Sequence, residues 1–136
     1  MQPRARIYNA WVFVRPADDV AGQWVAHCLE FDVVTQGNSL AHALEMVVEA
    51  VSMVVADDLD AGRDPLARRA PPPCWDEMWT FIRGRTPRML SEADLEHGTI
   101  AALAGQFEFT VVEHNAPLAW RAPIVFEGPA PHPSVC

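Results

Sequence analysis

The chain has 136 residues, of which 50% are hydrophobic, and a formal net charge of -8 at pH 7. This length suits one domain with a sizeable core, and no apolar run approaches the ~18 residues of a membrane span. The acidic balance disfavours a broad phosphate-binding surface, and it suits either solubility or a basic protein partner. The N-terminal region lacks the long apolar segment of a signal peptide, so we expect a cytoplasmic protein that does not associate with membranes.

Three strands are predicted before residue 37. Residues 7–15 are aromatic or β-branched on both faces, which predicts a central strand covered on both sides. A polar turn containing Gly22 leads to a second strand at residues 23–29, and a third follows at residues 33–36. The short connections predict an antiparallel meander.

A long amphipathic helix is predicted at residues 39–60. Its hydrophobic positions recur at helical spacing, at Leu40, Leu44, Val47, Val51 and Val54. Ser39 is a suitable N-cap, and Gly37 is expected to take a positive φ between the strand and the helix. The opposite face is expected to expose Glu45, Glu49 and Ser52. Three acids near the helix C-terminus, Asp57, Asp58 and Asp60, oppose the helix dipole. They are therefore either solvated or paired with arginines from elsewhere.

The second half of the chain is predicted to begin with a helical insertion at about residues 64–104. Three consecutive prolines predict an extended linker at residues 64–73. Apolar spacing that includes Trp75 and Trp79 predicts a short helix at 74–83, and Ser91 caps another that ends near residue 104. A fourth strand is predicted at 107–113 and an edge piece at 118–127, before a disordered tail at 129–136.

The turn before the long helix carries a family resemblance. Thr35, Gln36, Gly37, Asn38, Ser39 and Ala43 match a strand–turn–helix motif. With the strand at 8–15, the chain over about residues 7–60 resembles the HicB family of antitoxins and antitoxin-like proteins. One departure concerns the helix start, where Ala41 and His42 replace the acidic pair that is common in the family.

The residue patterns and the resemblance together define the expected fold and partners. We expect an α+β fold: an antiparallel sheet with one long helix across it and a helical insertion, in a single HicB-like domain of residues 1–128. The resemblance implies a β-β-β-α-β core of truncated ribonuclease H-like form and a homodimer. It also implies an antitoxin that neutralises a small basic RNA-cleaving toxin. The alternative is a stand-alone relative that binds a small ligand or RNA through the tryptophans and arginines of the insertion.

No catalytic, cofactor-binding or metal-binding residues are predicted. A ribonuclease H-like enzyme needs carboxylates around two metal ions, one of them on the first strand, and residues 7–15 contain no acid. DNA binding is not expected either, because residues 74–104 lack a basic recognition helix. The turn and cap residues Gly37, Asn38 and Ser39 are expected to be structural. The candidate partner-binding acids are Asp18, Asp19, Glu30 and Asp32, and the candidate dimer contacts are Met46, Ala50 and Met53.

Overall fold

The computed structural model describes residues 8–82, 87–96 and 107–113. Its elements in chain order are β1 Tyr8–Pro16, β2 Trp24–Cys28, β3 Val33–Gly37, α1 Leu40–Asp60, a 3₁₀ turn Pro65–Arg68, α2 Pro72–Ile82, β4 Arg88–Met89, a 3₁₀ turn Glu92–Asp94 and β5 Phe107–Glu113. The predicted α+β class is therefore confirmed. None of the helices in these ranges is long and apolar enough to cross a membrane.

The five described strands form one mixed sheet in the order β3-β2-β1-β5-β4. β1 pairs antiparallel with β2, and β2 with β3, which confirms the predicted meander. β5 lies parallel to β1, with Val12 opposite Val111, so the prediction of an antiparallel sheet was wrong. A parallel neighbour requires a long crossover, which α1 and the insertion provide.

The helix α1 covers one face of the sheet. Ser39 caps it, because its Oγ accepts a hydrogen bond of 3.0 Å from the His42 backbone N–H. Its core stripe, including Leu44, Val47 and Val51, is fully buried against Val12 and Val14 of β1. Because hydrophobic burial contributes about 25 cal/mol per Å² of apolar surface, this interface is the main part of the core.

The helix α2 covers the other face of the sheet. Trp75 and Met78 are buried against Phe13 of β1 and Val112 of β5. The central strand is thus covered on both sides, as its sequence predicts, and the described domain has three layers: α1, the sheet and α2.

The insertion differs from its prediction in two places. The prolines do not exclude helix, because α2 begins at Pro72. Proline is compatible with a first helical turn, where its missing N–H would have no partner. The predicted helix at 91–104 is a 3₁₀ turn at Glu92–Asp94, and its later part lies outside the described residues. The pieces predicted at 118–127 and 129–136 also lie outside them.

Candidate functional site

The turn before α1 is a hydrogen-bonded joint between the sheet and the helix. The Asn38 backbone N–H donates to His42 Nδ1 at 3.0 Å, and its side-chain Oδ1 accepts from Gln23 Nε2 at 2.8 Å. The prediction of a positive φ at Gly37 was wrong. Among the described glycines, those with a positive φ are Gly22 and Gly62. The reason for glycine is proximity: a Cβ at position 37 would lie 2.4 Å from the Ala43 backbone nitrogen. The joint therefore positions α1 and presents no reactive group.

The outer side of α1 carries a line of methionine and acidic side chains, which we call the acidic ridge. Its members, Met46, Glu49, Met53, Asp57 and Asp60, are all exposed. Spacings of three or four residues place them on one side of the helix, opposite the sheet. Met46 is 37% exposed and Met53 68% exposed, because α2 packs on the far side of the sheet and does not cover them. Ala50 lies beside them, half-buried.

The charge of the acidic ridge has one sign. The helix α1 contains no lysine or arginine, and Glu49, Asp57 and Asp60 are exposed to solvent. Glu45 was predicted on this exposed face, but it is only 8% exposed. It lies about 100° around the helix from Leu44, at the margin of the core stripe rather than opposite it. The ridge thus combines three carboxylates with two flexible, polarisable apolar side chains.

The C-terminal acids of α1 divide into buried and exposed ones. Asp58 is buried and accepts hydrogen bonds from Arg63 Nε at 2.9 Å and from Arg68 Nε and Nη2 at 2.5 and 2.8 Å. The hydrogen bonds from Arg68 and then Arg63 outweigh desolvation and lower the pKa of the Asp58 carboxyl to about 2. Asp58 is therefore paired with arginines, whereas Asp57 and Asp60 stay exposed.

The four acids predicted to bind a partner do not form one patch. Asp18 and Asp19 lie in the exposed loop between β1 and β2, whereas Glu30 and Asp32 lie in the turn between β2 and β3. These loops are at opposite ends of β2, whose five residues span about 15 Å at about 3.3 Å each. Burial raises the pKa of the Glu30 carboxyl, and the charge of Arg69 partly opposes that shift.

A histidine of β2 and an aspartate of the turn that follows form a pair that the sequence patterns did not indicate. His27 Nε2 lies 2.8 Å from Asp32 Oδ1, and the histidine is buried. Asp32 has a φ of 53°, a conformation that aspartate tolerates better than most residues. His27 lines a cavity of about 30 Å³ together with Arg15 and Glu77, whose side chains form an ion pair of 2.8 Å. This volume holds about one water molecule, so the cavity is too small for a substrate.

Beside α2 lies an open groove, which we call the tryptophan groove. It is lined by Arg69, Pro71, Pro72, Trp75, Asp76 and Trp79 and has a volume of about 430 Å³. The Arg69 guanidinium lies 4.2 Å from the centre of the Trp75 ring, a cation–π contact. Trp79 is 43% exposed and contacts Trp11 edge-on with ring centres 4.9 Å apart. Of the tryptophans and arginines that line the groove, Arg69 and Trp79 are therefore exposed, whereas Trp75 is buried.

Within residues 8–82, 87–96 and 107–113, no group of three or more His, Cys, Asp or Glu side chains could hold a metal ion.

The comparisons with known proteins do not assign the chain to a family. No protein-family model, curated protein or solved structure matches it. The HicB resemblance therefore stays a prediction based on the residues of the turn and its flanking elements.

Proposed function

We propose that this chain is a non-enzymatic, antitoxin-like interaction protein that binds and neutralises a small basic RNA-cleaving toxin in the cytoplasm. The turn and cap residues that carry the HicB resemblance have defined structural roles: Gly37 permits the close approach of α1, and Ser39 caps it. We further propose that the sheet is a truncated ribonuclease H-like core. The parallel pairing of β5 with β1 supports this assignment.

The acidic ridge is the observation that carries the proposal. It offers the exposed apolar surface of Met46 and Met53 beside the carboxylates of Glu49, Asp57 and Asp60, and Met53 lies between Glu49 and Asp57. An apolar centre with a charged rim is typical of protein interfaces, and methionine adapts well to a partner surface. Complementary charge accelerates association, while each exposed ion pair adds about 0.2–1 kcal/mol. The ridge therefore suits a basic protein with an apolar contact surface.

The arrangement of carboxylates supports a role without catalysis. The strand β1 carries no acid. On α1, Glu45 lies at the margin of the core stripe, whereas Glu49 lies on the outer side. Asp32 is bound to His27 in a turn. A two-metal nuclease would need several of these carboxylates to converge around its ions.

The alternative function is ligand or RNA binding through the insertion, and the tryptophan groove favours it in part. The exposed Trp79 ring could stack against a base. However, Arg63 and Arg68 already bind Asp58, and Arg69 lies near the carboxyl of Glu30. With a chain charge of -8, this surface suits a phosphate backbone poorly.

The proposed homodimer has to avoid repulsion between like charges. Two copies of α1 in a two-fold contact would bring the carboxylates of both acidic ridges close together, which costs free energy. The strand β3 forms an edge of the described sheet, and its Val34 side chain is 55% exposed. We therefore propose pairing through the β3 edge, which leaves Met46 and Met53 for the partner.

The proposal is tested with the product of a neighbouring gene. If the gene context supplies a small basic protein, it is purified and its cleavage of RNA is measured with increasing amounts of this chain. We expect cleavage to stop near one chain per toxin molecule. An adjacent basic ribonuclease that cleaves RNA equally well at saturating amounts of this chain would contradict the proposal.

The control variants separate the acidic clusters. Charge reversal on the ridge, Glu49→Arg with Asp57→Arg, is expected to weaken inhibition. The matched double reversal at two exposed acids outside the ridge, Glu96→Arg with Glu108→Arg, should leave inhibition unchanged. Asp18→Arg with Asp19→Arg tests whether the β1–β2 loop also contacts the partner.

A further inference from the structure

The tryptophan groove has the shape and chemistry of a site for an extended peptide. It is open and shallow rather than enclosed, and the exposed rings of Pro71, Pro72 and Trp79 form much of its lining. Small-molecule sites usually enclose most of their ligand, whereas grooves with aromatic walls accept peptides in the polyproline conformation. The low entropy cost of ordering such a peptide suits a shallow surface.

The two tryptophans of the groove differ in hydrogen bonding. Trp75 is buried, and its Nε1 donates a hydrogen bond of 3.1 Å to the Ala70 carbonyl. Trp79 is held edge-on against Trp11, yet its indole N–H has no acceptor among the described residues. Within the described part of the chain, Trp79 therefore offers an apolar ring face together with an indole N–H that has no acceptor. A proline ring and an adjacent peptide carbonyl match that pair of features.

The charges beside the groove select the kind of peptide. Asp76 is exposed on the rim, and the charge of Arg69 acts on the carboxyl of Glu30. The groove lining therefore holds one carboxylate, Asp76, and one guanidinium, Arg69, which is stacked on Trp75. The chain as a whole has a net charge of -8, and the resulting field attracts basic peptides and repels acidic ones.

We propose that the tryptophan groove binds a proline-rich peptide segment of a partner protein, with an arginine or lysine side chain of that segment beside Asp76. The groove lies on the α2 side of the sheet and the acidic ridge on the α1 side. Occupation of one site therefore leaves the other accessible, so the chain can hold the peptide and the proposed toxin at the same time.

The test uses three synthetic ten-residue peptides and the full chain labelled with ¹⁵N. The first contains prolines and two arginines, the second replaces the arginines by glutamates, and the third replaces the prolines by alanines. Binding is followed by the indole N–H resonance of Trp79, which is assigned by its loss in the Trp79→Ala variant. We expect saturable binding of the first peptide and a shift of this resonance. The second and third peptides should bind at least about tenfold more weakly, a difference of about 1.4 kcal/mol.

Variants on the surface of α2 locate the contact. Trp79→Ala should weaken binding of the first peptide at least about tenfold, as expected for an aromatic anchor. Asp76→Asn should weaken it about threefold, as for one exposed ion pair. Thr80→Ala, at an exposed neighbour outside the groove, should have no effect. Circular dichroism confirms that each variant is folded.

Three results would overturn the proposal. The first is no binding of the proline–arginine peptide, and the second is equal binding by folded Trp79→Ala. The third is binding of the proline–arginine peptide only to a variant in which Pro129, Pro131 and Pro133 are changed to alanine. In that case the chain's own prolines would be the natural occupant of the groove. Binding of single-stranded RNA at this site in place of the peptide would favour the nucleic-acid alternative.

Discussion

A side chain at position 37 should destabilise the fold through a clash between the sheet and α1. A Cβ on Gly37 would lie 2.4 Å from the Ala43 nitrogen and 2.8 Å from both the Ala43 Cα and the His42 carbonyl carbon. All three atoms are backbone, so no side chain can rotate away. The start of α1 would have to move by roughly 1 Å to restore ordinary contact distances near ~3.5 Å.

The magnitude follows from the cost of overpacking. Inserting atoms into a packed interior costs about 1–3 kcal/mol, occasionally more, and a backbone clash belongs at the upper end. We therefore expect Gly37→Ala to lower the free energy of unfolding by about 3 kcal/mol. At roughly 3–4 °C per kcal/mol for a domain of this size, the Tm should fall by about 10 °C. Gly37→Val should cost at least as much.

The control is a glycine whose role is conformational. Gly22 has a φ of +82°, and a Cβ added there would meet no atom of the described residues within 4 Å, apart from its chain neighbours. Strain of about 1–2 kcal/mol in Gly22→Ala is offset by about 0.4–1 kcal/mol from a less flexible unfolded chain. Urea and thermal unfolding, followed by circular dichroism, should rank Gly37→Ala as clearly the less stable variant. Equal stability of Gly37→Ala and the unchanged chain, or the reverse ranking, would refute the close-approach explanation.

Three further predictions concern stability, catalysis and assembly. The pKa of Asp58 is lowered to about 2 from an ordinary value of 3.8, so its contribution is complete above about pH 4 and is lost as the pH falls towards 2. Asp58→Asn should therefore lower the Tm at pH 7, and the difference in Tm between this variant and the unchanged chain should shrink as the pH falls from about 4 to 2. A difference in Tm that stays constant over this range would contradict a stabilising role of the ion pairs. The chain should not cleave RNA or RNA–DNA hybrids in the presence of Mg²⁺ or Mn²⁺. Metal-dependent cleavage that disappears in the Glu45→Gln variant would refute this prediction. Sedimentation at micromolar concentration should show a dimer, and the dimer should persist in the Met53→Glu variant. A single species of 15.1 kDa, the mass of one chain, would contradict the predicted dimer.

Local sequence signals predicted the elements that their own residues specify. Ser39 caps α1 because its hydroxyl satisfies a free backbone N–H at the helix start. The two apolar faces of β1 predicted its burial on both sides, since successive side chains of a strand point in opposite directions. These features depend on residues that are close in the sequence, so periodicity and capping were sufficient.

Features that depend on distant segments could not be read in the same way. The strand pattern of β5 does not encode its direction, which is set by the crossover before it. Gly37 gives no sequence signal that distinguishes a positive φ from a close approach of backbone. The burial of Asp58 depends on Arg63 and Arg68 folding back after the helix. The histidine–aspartate pair likewise requires the φ of 53° at Asp32, which no periodicity predicts.

The exposure of the candidate surfaces depends on how the elements pack. Met46, Ala50 and Met53 were expected as dimer contacts, which stays a prediction, and Met46 and Met53 are exposed. Their alignment with Glu49 and Asp57 depends on how α1 is rotated on the sheet. That rotation follows from the packing of the whole core stripe rather than from any one residue.

The most direct test of the central claim is the affinity of the chain for its proposed basic partner as a function of salt. For the unchanged chain we predict a Kd that rises steeply with ionic strength, because the carboxylates of the acidic ridge are exposed. In the Glu49→Arg, Asp57→Arg variant, binding at low salt should be at least about tenfold weaker, a loss of about 1.4 kcal/mol, and much of the salt dependence should disappear. An affinity and a salt dependence that are unchanged in that variant would show that the partner does not bind through the ridge.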